Sequence, residues 1–257
     1  MNLVYFNESQ LPFKELETLG LAAGGQLLMN VNDLKALLSG RRTGLMHLEN
    51  LETENIKIKS IDAKISLREN AQGKTDLLVH PIYRKPSTPD FLDDFEAQQL
   101  EKGGKANILK VTTDEDGNKK EIVVEFDPET REFIVSDTSK IMVPDMINNE
   151  SLTPAQKENY RKGKEVALAD QTRLQYSATD AQGIRSDKLA LVASILIDGG
   201  LSYMVYKGLN ALFNKERNEE KAAELSPGYY NAVRDMQEQK MDFSDNLRKA
   251  RPVLARK

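Results

Sequence analysis

Hydrophobic residues follow two different spacings in the first half of the chain. Between residues 10 and 40, apolar side chains recur at helical spacing and predict two short helices, 13–19 and 31–38. From residue 57 to 136, apolar and polar residues alternate over short runs, as they do in strands with one buried face. These observations predict an α+β domain over residues 1–145, built from a small antiparallel sheet and short helices.

Turn-forming residues divide this alternating region into separate strands. A Thr88-Pro89 pair inside it is typical of a helix start, so we expect a helix there with Phe91, Leu92, Phe95 and Leu100 on its apolar face. The expected strands are 56–67, 75–83, 107–113, 121–126 and 132–136. A second module begins near residue 151, with a helix over 154–162 and short strands at 165–168 and 174–177.

The most apolar passage of the chain is LALVASILIDGGLSYMVYKGLNALF, residues 189–213. Its apolar residues keep an i, i+3, i+4, i+7 phase throughout, which favours one long amphipathic helix over residues 186–213, capped by Ser186. Glycines on the apolar stripe would let another backbone approach closely. The stripe is therefore predicted to bind a partner or a second copy of the chain, through Leu189, Val192, Leu196, Gly200, Leu201, Met204, Val205, Gly208 and Leu212.

The same passage is long enough to cross a bilayer, so an inserted helix is the alternative. Its leucine, isoleucine and valine residues favour insertion, whereas Asp198 near the centre costs about 2.5 to 3.5 kcal/mol. The two contributions nearly cancel. The first 13 residues lack both a basic and an apolar signal region, and the expected location is cytoplasmic, with membrane association as the alternative.

The C-terminal part, residues 214–257, is rich in charge and predicts a helical tail, with a helix starting at Ser226-Pro227. Residues 1–150 carry a net charge of −8 and residues 151–257 a net charge of +4. This mild asymmetry leaves contact with an anionic partner such as nucleic acid open. The residues expected to make it are Lys157, Arg161, Lys162, Lys164, Arg248, Lys249 and Arg251.

Chemistry-bearing motifs are scarce in the sequence. Cysteine is absent, which excludes disulfides, thiolate metal sites and a cysteine nucleophile. Phosphate-loop, dinucleotide-binding, zinc-protease and nucleophile-elbow motifs do not occur, and His47 and His80 are not at ligand spacing. Arg41 and Arg42 lie between glycines in GRRTG and predict an exposed basic loop, with an anion site as the alternative. We expect no enzyme, no cofactor and no metal.

Two passages, LTPAQKENYRKGKEVAL (152–168) and GIRSDKLALVASILIDGGLSYMVYKGLNALF (183–213), resemble uncharacterised proteins of conjugative and mobilisable elements of Bacteroides-type bacteria. Those proteins combine two adjoining domains of unknown function, and FKELETLGL (13–21) and LKALLSGRRTG (34–44) resemble the first of them. The resemblance implies a mobile-element context and service to DNA transfer or element maintenance, and it supplies no catalytic residues.

These observations together favour a non-enzymatic interaction or scaffold protein that uses residues 189–213 to bind a protein partner or to self-associate. Two alternatives stay open. One is a membrane-associated component with that helix inserted, and the other is a nucleic-acid-binding accessory factor for DNA transfer.

Overall fold

The protein is rich in short strands, with five α-helices among the described residues. The computed structural model describes residues 6–52, 57–113, 117–197, 200–207 and 225–250. The helices are α1 (Phe13–Thr18), α2 (Val31–Leu38), α3 (Asp94–Glu101), α4 (Pro154–Arg161) and α5 (Pro227–Ala250). The strands are β1 (Ala22–Ala23), β2 (Gln26–Leu27), β3 (Met46–Glu52), β4 (Lys57–Glu69), β5 (Thr75–Pro81), β6 (Ile108–Thr113), β7 (Lys119–Asp127), β8 (Glu132–Asp137), β9 (Met146–Ile147), β10 (Glu150–Ser151), β11 (Val166–Ala167), β12 (Arg173–Tyr176), β13 (Ile184–Ser186), β14 (Ala190–Ile197) and β15 (Gly200–Lys207).

The chain divides into two compact units that are not continuous in sequence. Unit 1 comprises Met1–Val143, Pro154–Val166 and Leu174–Arg185. Unit 2 comprises Pro144–Thr153, Ala167–Arg173 and Ser186–Lys257. Each unit is described by itself below.

Unit 1 contains two antiparallel sheets of three strands, with the orders β3-β4-β5 and β6-β7-β8. The first sheet carries the core of the N-terminal region, where α1 and α2 contribute Leu16, Leu37 and Leu38 beside Ile65 and Leu67 of β4. Burying such side chains stabilises the fold by about 1.5 to 3 kcal/mol each. The helix expected over 31–38 is present as α2, and its N-cap Asn30 accepts a hydrogen bond from the Asp33 backbone.

The second sheet of unit 1 packs against α3. Leu92 and Leu100 lie with Ile108, Ile122 and Val124 in one buried cluster. The helix starts later than the Thr88-Pro89 pair indicates, because Asp93 and Glu96 form a capping box that fixes its first turn.

Unit 2 contains a four-stranded sheet of order β10-β9-β14-β15. The two long strands form an antiparallel hairpin, with register running from Ala190↔Lys207 to Ile197↔Gly200. Residues 191 to 194 are all buried, so consecutive side chains on both faces of β14 are shielded from water. This hairpin occupies most of the passage for which the sequence predicts one long helix.

The predicted helix over 186–213 is therefore wrong. An uninterrupted apolar run satisfies helical spacing and also fits a strand that is buried on both faces, so periodicity alone does not separate the two. Asp198-Gly199, which separates the two strands in sequence, is a dipeptide typical of two-residue hairpin loops. That local signal, which the helix prediction overlooked, favours the hairpin.

The predicted interaction stripe does not exist as one surface. Val192 lies directly opposite Val205, and Leu196 lies opposite Leu201. Gly200 and Met204 belong to the other face of the hairpin, because successive strand residues alternate. Val192 is buried, whereas Leu189 and Val205 are about one-third exposed. Gly208 and Leu212 lie outside the described residues.

The predicted fold class is corrected accordingly. In place of one small sheet followed by a long apolar helix and a charged helical tail, the described residues form five small sheets and five α-helices. The start expected at Ser226-Pro227 coincides with the start of α5, while residues 208–224 lie outside the described part. Within that part, no helix has the length and apolar character needed to cross a membrane.

Polar groups of unit 2 fix the start of α5. The Ser226 hydroxyl accepts a hydrogen bond from the Tyr229 backbone at 3.1 Å, the usual role of an N-cap. The same hydroxyl donates to Asp170 at 2.6 Å, and the Asn148 amide donates to Asp170 at 3.0 Å. Burial opposes the shift, but the hydrogen bonds from Ser226, Thr172 and Asn148 lower the pKa of Asp170 below its usual value. These contacts anchor the helix start.

Candidate anion-binding site

Unit 1 contains a cavity of about 790 Å³, which is within the range of small-ligand sites. Its wall is formed by residues 39–42 after α2, residues 66–70 at the end of β4, and residues 133–137 of β8. Aromatic side chains Tyr160 and Tyr176 contribute from later in the chain. The cavity therefore draws on segments that are far apart in sequence and that belong to one unit.

A buried network of charges lies beside this cavity. The ammonium group of Lys64 is 2.8 Å from Asp127 and 2.7 Å from Glu129. Lys64 is 1% exposed and Asp127 is fully buried. Arg42 approaches Asp127 at 3.9 Å and binds Glu132 at 2.7 Å. Each buried charge in this network has an opposite charge next to it, which is the condition under which such groups are tolerated.

His80 connects the network to the cavity wall. Its Nε2 atom is 2.8 Å from the Ser66 hydroxyl, and its Nδ1 atom is 3.5 Å from Glu132. Burial and then the positive charge of Arg42 lower the pKa of His80 below 6.5, so the ring is neutral near pH 7. The order serine, histidine, carboxylate resembles a catalytic triad. However, the Nδ1 contact is longer than a hydrogen bond, and Arg42 already holds Glu132.

Arg41, the neighbour of Arg42, is in a different environment. Its Nε atom donates to the Ala181 carbonyl at 3.1 Å, and its guanidinium lies against Gly183, where an added Cβ would meet Arg41 atoms at 2.9 Å. Among the described side chains, no carboxylate lies within 4.0 Å of this guanidinium. Arg41 is thus a half-buried cation, held in place and facing the cavity without a counter-charge.

The loop that holds Arg41 is itself anchored by a buried carboxylate. Glu125 of β7 accepts hydrogen bonds from the Ala178 backbone at 2.7 Å and from the Ser177 hydroxyl at 3.2 Å. It also pairs with Arg185 at 2.9 Å. Complete burial raises the pKa of Glu125, while Arg185 and the hydrogen bonds act in the opposite direction. Residues 177–185 therefore have a fixed position under Arg41.

Two side chains with hydroxyl groups, Ser136 and Tyr176, also line the cavity. The Tyr176 and Ser136 hydroxyls are 3.2 Å apart. Burial raises the pKa of Tyr176 to about 12, and the Ser136 hydrogen bond and the positive charge of Arg41 only partly oppose this rise. The phenol consequently stays protonated near neutral pH and can donate a hydrogen bond.

The rim of the cavity carries further charges of both signs. Arg68 and Lys140 are exposed cations, and Glu69 and Asp137 are the carboxylates of the lining. Asp137 already accepts hydrogen bonds from the Ser139 backbone and hydroxyl at 2.9 Å and 2.6 Å. Arg68 also lies 4.0 Å from Asp76. Among the described residues of the lining, arginine and lysine side chains outnumber carboxylates, so an anionic group fits it best.

The structure corrects the preferred interpretation of GRRTG. Arg41 and Arg42 are half-buried and line a cavity, so they do not form an exposed basic loop. The alternative interpretation, an anion site, agrees with the position of Arg41. The burial depends on Thr130, Glu132 and residues 181–183, which are 88 or more residues away in sequence and leave no local signal.

The basic cluster proposed for anion contact is partly neutralised. Lys162 is 3.1 Å from both Glu121 and Glu158, and hydrogen bonds from these carboxylates raise its pKa. Arg161 is 3.9 Å from Glu158. Lys157 and Lys164 lie on and after α4. Arg248 and Lys249 belong to α5, but their side chains are not among those that the structure describes. Arg251 lies beyond the described residues.

The sequence prediction missed several residues of the cavity. Ser66, His80, Ser136 and Tyr176 belong to strand segments whose alternation predicts only sheet formation. Glu125 reads as a polar residue on the solvent face of a strand, yet it is fully buried. In the part of the chain that is described, no group of three or more histidine, aspartate or glutamate side chains could hold a metal ion.

Comparison with protein families gives a match over the N-terminal region. Residues 6–90 match DUF4099, a protein family of unknown function. The DUF4099 segment contains Arg41, Arg42, Ser66 and His80, whereas β8, Tyr160 and Tyr176 lie after it. The cavity is thus completed by residues outside the DUF4099 segment. Comparison with curated proteins and with solved structures gave no match.

Proposed function

We propose that the protein is a non-enzymatic interaction protein whose unit 1 binds an anionic group of a partner in the Arg41 cavity. The observation that carries the proposal is the environment of Arg41. A half-buried guanidinium held against Gly183, with two hydroxyl groups nearby and no carboxylate within 4.0 Å among the described residues, is prepared for an external anion. Preorganised donors of this kind reduce the entropy lost on binding.

The expected contribution of Arg41 can be bounded. Hydrogen bonds to charged groups contribute about 1.5 to 3 kcal/mol when they form away from bulk water. Losing one such interaction corresponds to about a 10- to 100-fold weaker affinity. Arg41 is therefore a dominant contact of the proposed site, while Arg68 and Lys140 on the exposed rim contribute less.

The non-enzymatic part of the proposal is supported by how the polar groups of the cavity are used. His80 is tied to Ser66, and the carboxylate that would orient its other nitrogen is bound to Arg42. In a catalytic triad, a carboxylate within hydrogen-bond distance of the second ring nitrogen orients the histidine base. The arrangement supports binding better than acyl transfer.

The resemblance to proteins of conjugative and mobilisable elements gives the proposal a setting. In that context, a module that recognises an anionic group would connect components of DNA transfer or element maintenance. A protein partner or a second copy of the chain can present an anionic side chain to this cavity, whose rim is exposed. Nucleic acid is less well supported, because Lys162 of the basic cluster is already paired with two carboxylates.

Calorimetric titration with small anions tests the proposal. We would titrate the full chain with phosphate, succinate and glutarate at low ionic strength, and repeat the series with Arg41→Gln. The matched control is Arg84→Gln, which removes the same charge from an exposed residue outside the cavity lining. We expect saturable one-site binding of at least one anion, weakened about 10- to 100-fold by Arg41→Gln and unchanged by the control.

The two variants distinguish binding in the cavity from a general response to net charge. Equal loss of affinity in both variants would mean that the anions respond to net charge alone, and the cavity site would be excluded. Absence of saturable binding to the unmodified chain with every anion would also contradict the proposal. Circular dichroism of each variant verifies that the fold is retained.

A further inference from the structure

The cavity lining contains two runs of consecutive residues, one from Ser66 to Asn70 and the other from Phe133 to Asp137. Successive side chains of a strand point to opposite faces of its sheet. A cavity that touches every residue of a run therefore lies along the edge of the strand, where backbone groups are exposed. The cavity is therefore lined by backbone groups at strand edges as well as by side chains.

The end of β4 that lines the cavity is not paired with β3. Pairing of β3 with β4 extends no farther than Met46↔Ala63. Beyond it, the Thr43 backbone donates to the Ile65 carbonyl at 2.9 Å, and the Ile65 backbone donates to the Thr43 hydroxyl at 3.0 Å. The last six residues of β4 consequently pair in a ladder with β5 alone.

The contacts of Ile65 fix the direction of the remaining backbone groups. Because backbone groups alternate between the two sides of a strand, Leu67 and Glu69 direct their N–H and C=O groups to the same open side as Ile65. The Asn70 backbone N–H donates to the Lys74 carbonyl on the β5 side. This direction is the one that the alternation predicts for an even-numbered residue. Within the described residues, neither Leu67 nor Glu69 has a hydrogen-bond partner on the open side.

The other strand that lines the cavity, β8, is also an edge strand. In the sheet order β6-β7-β8, β8 has a neighbour on one side only. Its exposed residue Val135 and partly buried residues Phe133 and Ile134 line the cavity. Edge strands with unpaired backbone groups are templates for pairing with another chain.

We propose that the cavity binds an extended, acidic peptide segment of a partner protein, which adds as a strand to the free edge of β4 beside Leu67 and Glu69. This inference rests on the proposed anion-binding function and names the partner class. In strand addition, backbone hydrogen bonds supply affinity and side-chain pockets supply specificity. The free edge of β4 supplies the backbone hydrogen bonds, and Arg41 supplies the side-chain specificity.

Charge complementarity selects an acidic peptide. Arg41 faces the cavity without a carboxylate partner among the described residues, and the cations Arg68 and Lys140 lie on the rim. An extended peptide directs alternate side chains to the same side. Acidic residues two positions apart can therefore reach Arg41 and a rim cation from one face of the added strand.

Selection from a displayed library of random seven-residue peptides tests the proposal. The full chain is the bait, and Arg41→Gln and Arg84→Gln are parallel baits. We expect the full chain and Arg84→Gln to enrich the same peptides, with acidic residues at alternate positions, and Arg41→Gln to lose this enrichment. Enrichment of peptides without acidic residues, or equal enrichment by Arg41→Gln, would overturn the proposal.

A second measurement tests backbone pairing directly. The most enriched peptide is synthesised with single N-methyl groups at successive positions, which remove one backbone donor each. We expect affinity to fall at alternate positions only, and amide hydrogen exchange at Leu67 and Glu69 to slow when the peptide binds. Uniform tolerance of N-methylation, or unchanged exchange at both amides, would contradict strand addition.

Failure of this proposal and failure of the anion site give different results. If small anions bind in an Arg41-dependent manner and the library yields no enrichment, the anion site stands and the peptide proposal falls. If small anions show no saturable binding and acidic peptides are enriched independently of Arg41, both proposals are wrong.

Discussion

Arg41 and Arg42 are adjacent in sequence and occupy opposite kinds of environment. Arg42 belongs to the buried network with Asp127 and Glu132, where positive and negative groups are in contact. Arg41 lies at the cavity, where its Nε atom donates to the Ala181 carbonyl and no carboxylate of the described residues lies within 4.0 Å. The difference shows that charge burial alone does not mark a functional residue. The informative feature is a partly buried charge for which the fold provides a position and no counter-charge.

This contrast predicts that changes in the network reduce stability and that changes at the cavity reduce binding. Both regions lie in unit 1, so urea unfolding followed by circular dichroism and anion titration can be applied to the same set of variants. The four predictions below run from the largest expected effect to the smallest.

Lys64→Met should cause the largest loss of stability. The substitution leaves Asp127 buried with only the more distant Arg42 nearby, and breaking a buried ion pair from one side costs about 3 to 5 kcal/mol. Lys74→Met, at an exposed turn, is the matched control and should change the free energy of unfolding by less than about 0.5 kcal/mol. Equal effects in the two variants would show that the network is not structural.

Glu125→Ala should reduce stability by about 2 to 3 kcal/mol, because the Ala178 backbone and Arg185 lose a buried acceptor. It should also weaken anion binding, since the loop that positions Arg41 is released. Hydrogen exchange at residues 177–183 measures the release. Unchanged exchange there, with normal anion affinity, would show that Glu125 does not position Arg41.

Arg41→Gln should change the free energy of unfolding by less than about 1 kcal/mol, as expected for a group outside the ion network, and should mainly affect binding. Gly183→Ala is an independent test, because its methyl group would contact the Arg41 side chain and displace it. Both variants should weaken the same anions. If Arg41→Gln loses stability as strongly as Lys64→Met, a binding role for Arg41 is contradicted. Gly183→Ala is compared by anion affinity only, because Gly183 has a φ of +78°, at which alanine is strained.

His80 should produce the smallest effect, visible as a pH dependence. Burial lowers the pKa of His80 below 6.5, so the unfolded chain binds this proton more readily than the folded protein. The stability contributed by neutral His80 is present above about pH 6.5 and is lost as pH falls through that value toward the folded pKa. Compared with His80→Gln, the unmodified chain should therefore lose stability on acidification.

His47 provides a control with the opposite sign. A hydrogen bond from its exposed ring to Asp62, at 2.6 Å, raises the pKa of His47. Any contribution from His47 is present below pH 6.5 and is lost as pH rises through the folded pKa. If His80→Gln and His47→Gln change the pH dependence of stability in the same direction, the environment assigned to His80 is wrong.

Local sequence signals predicted α2, α4 and the strands β4 to β8 of unit 1, which follow from spacing, caps and turns, but they missed β1, β2 and β3. They failed at residues 189–213, where nearly every position of the first strand is apolar and helical spacing is met by chance. They also failed at Arg41, Lys64 and Glu125. The burial of these charges depends on residues from distant segments, and no pattern within a short window records such contacts.

The environment of the two arginines can be observed directly. Nitrogen–proton correlation spectra resolve the Nε–H signals of Arg41 and Arg42, which are assigned by their loss in Arg41→Gln and Arg42→Gln, while Arg84→Gln identifies an exposed arginine. On titration with the anion that binds most tightly, we expect the Arg41 signal to shift and saturate while the Arg42 signal stays nearly unchanged. A stationary Arg41 signal, or equal linear shifts of Arg41 and exposed arginines, would contradict an anion site at Arg41.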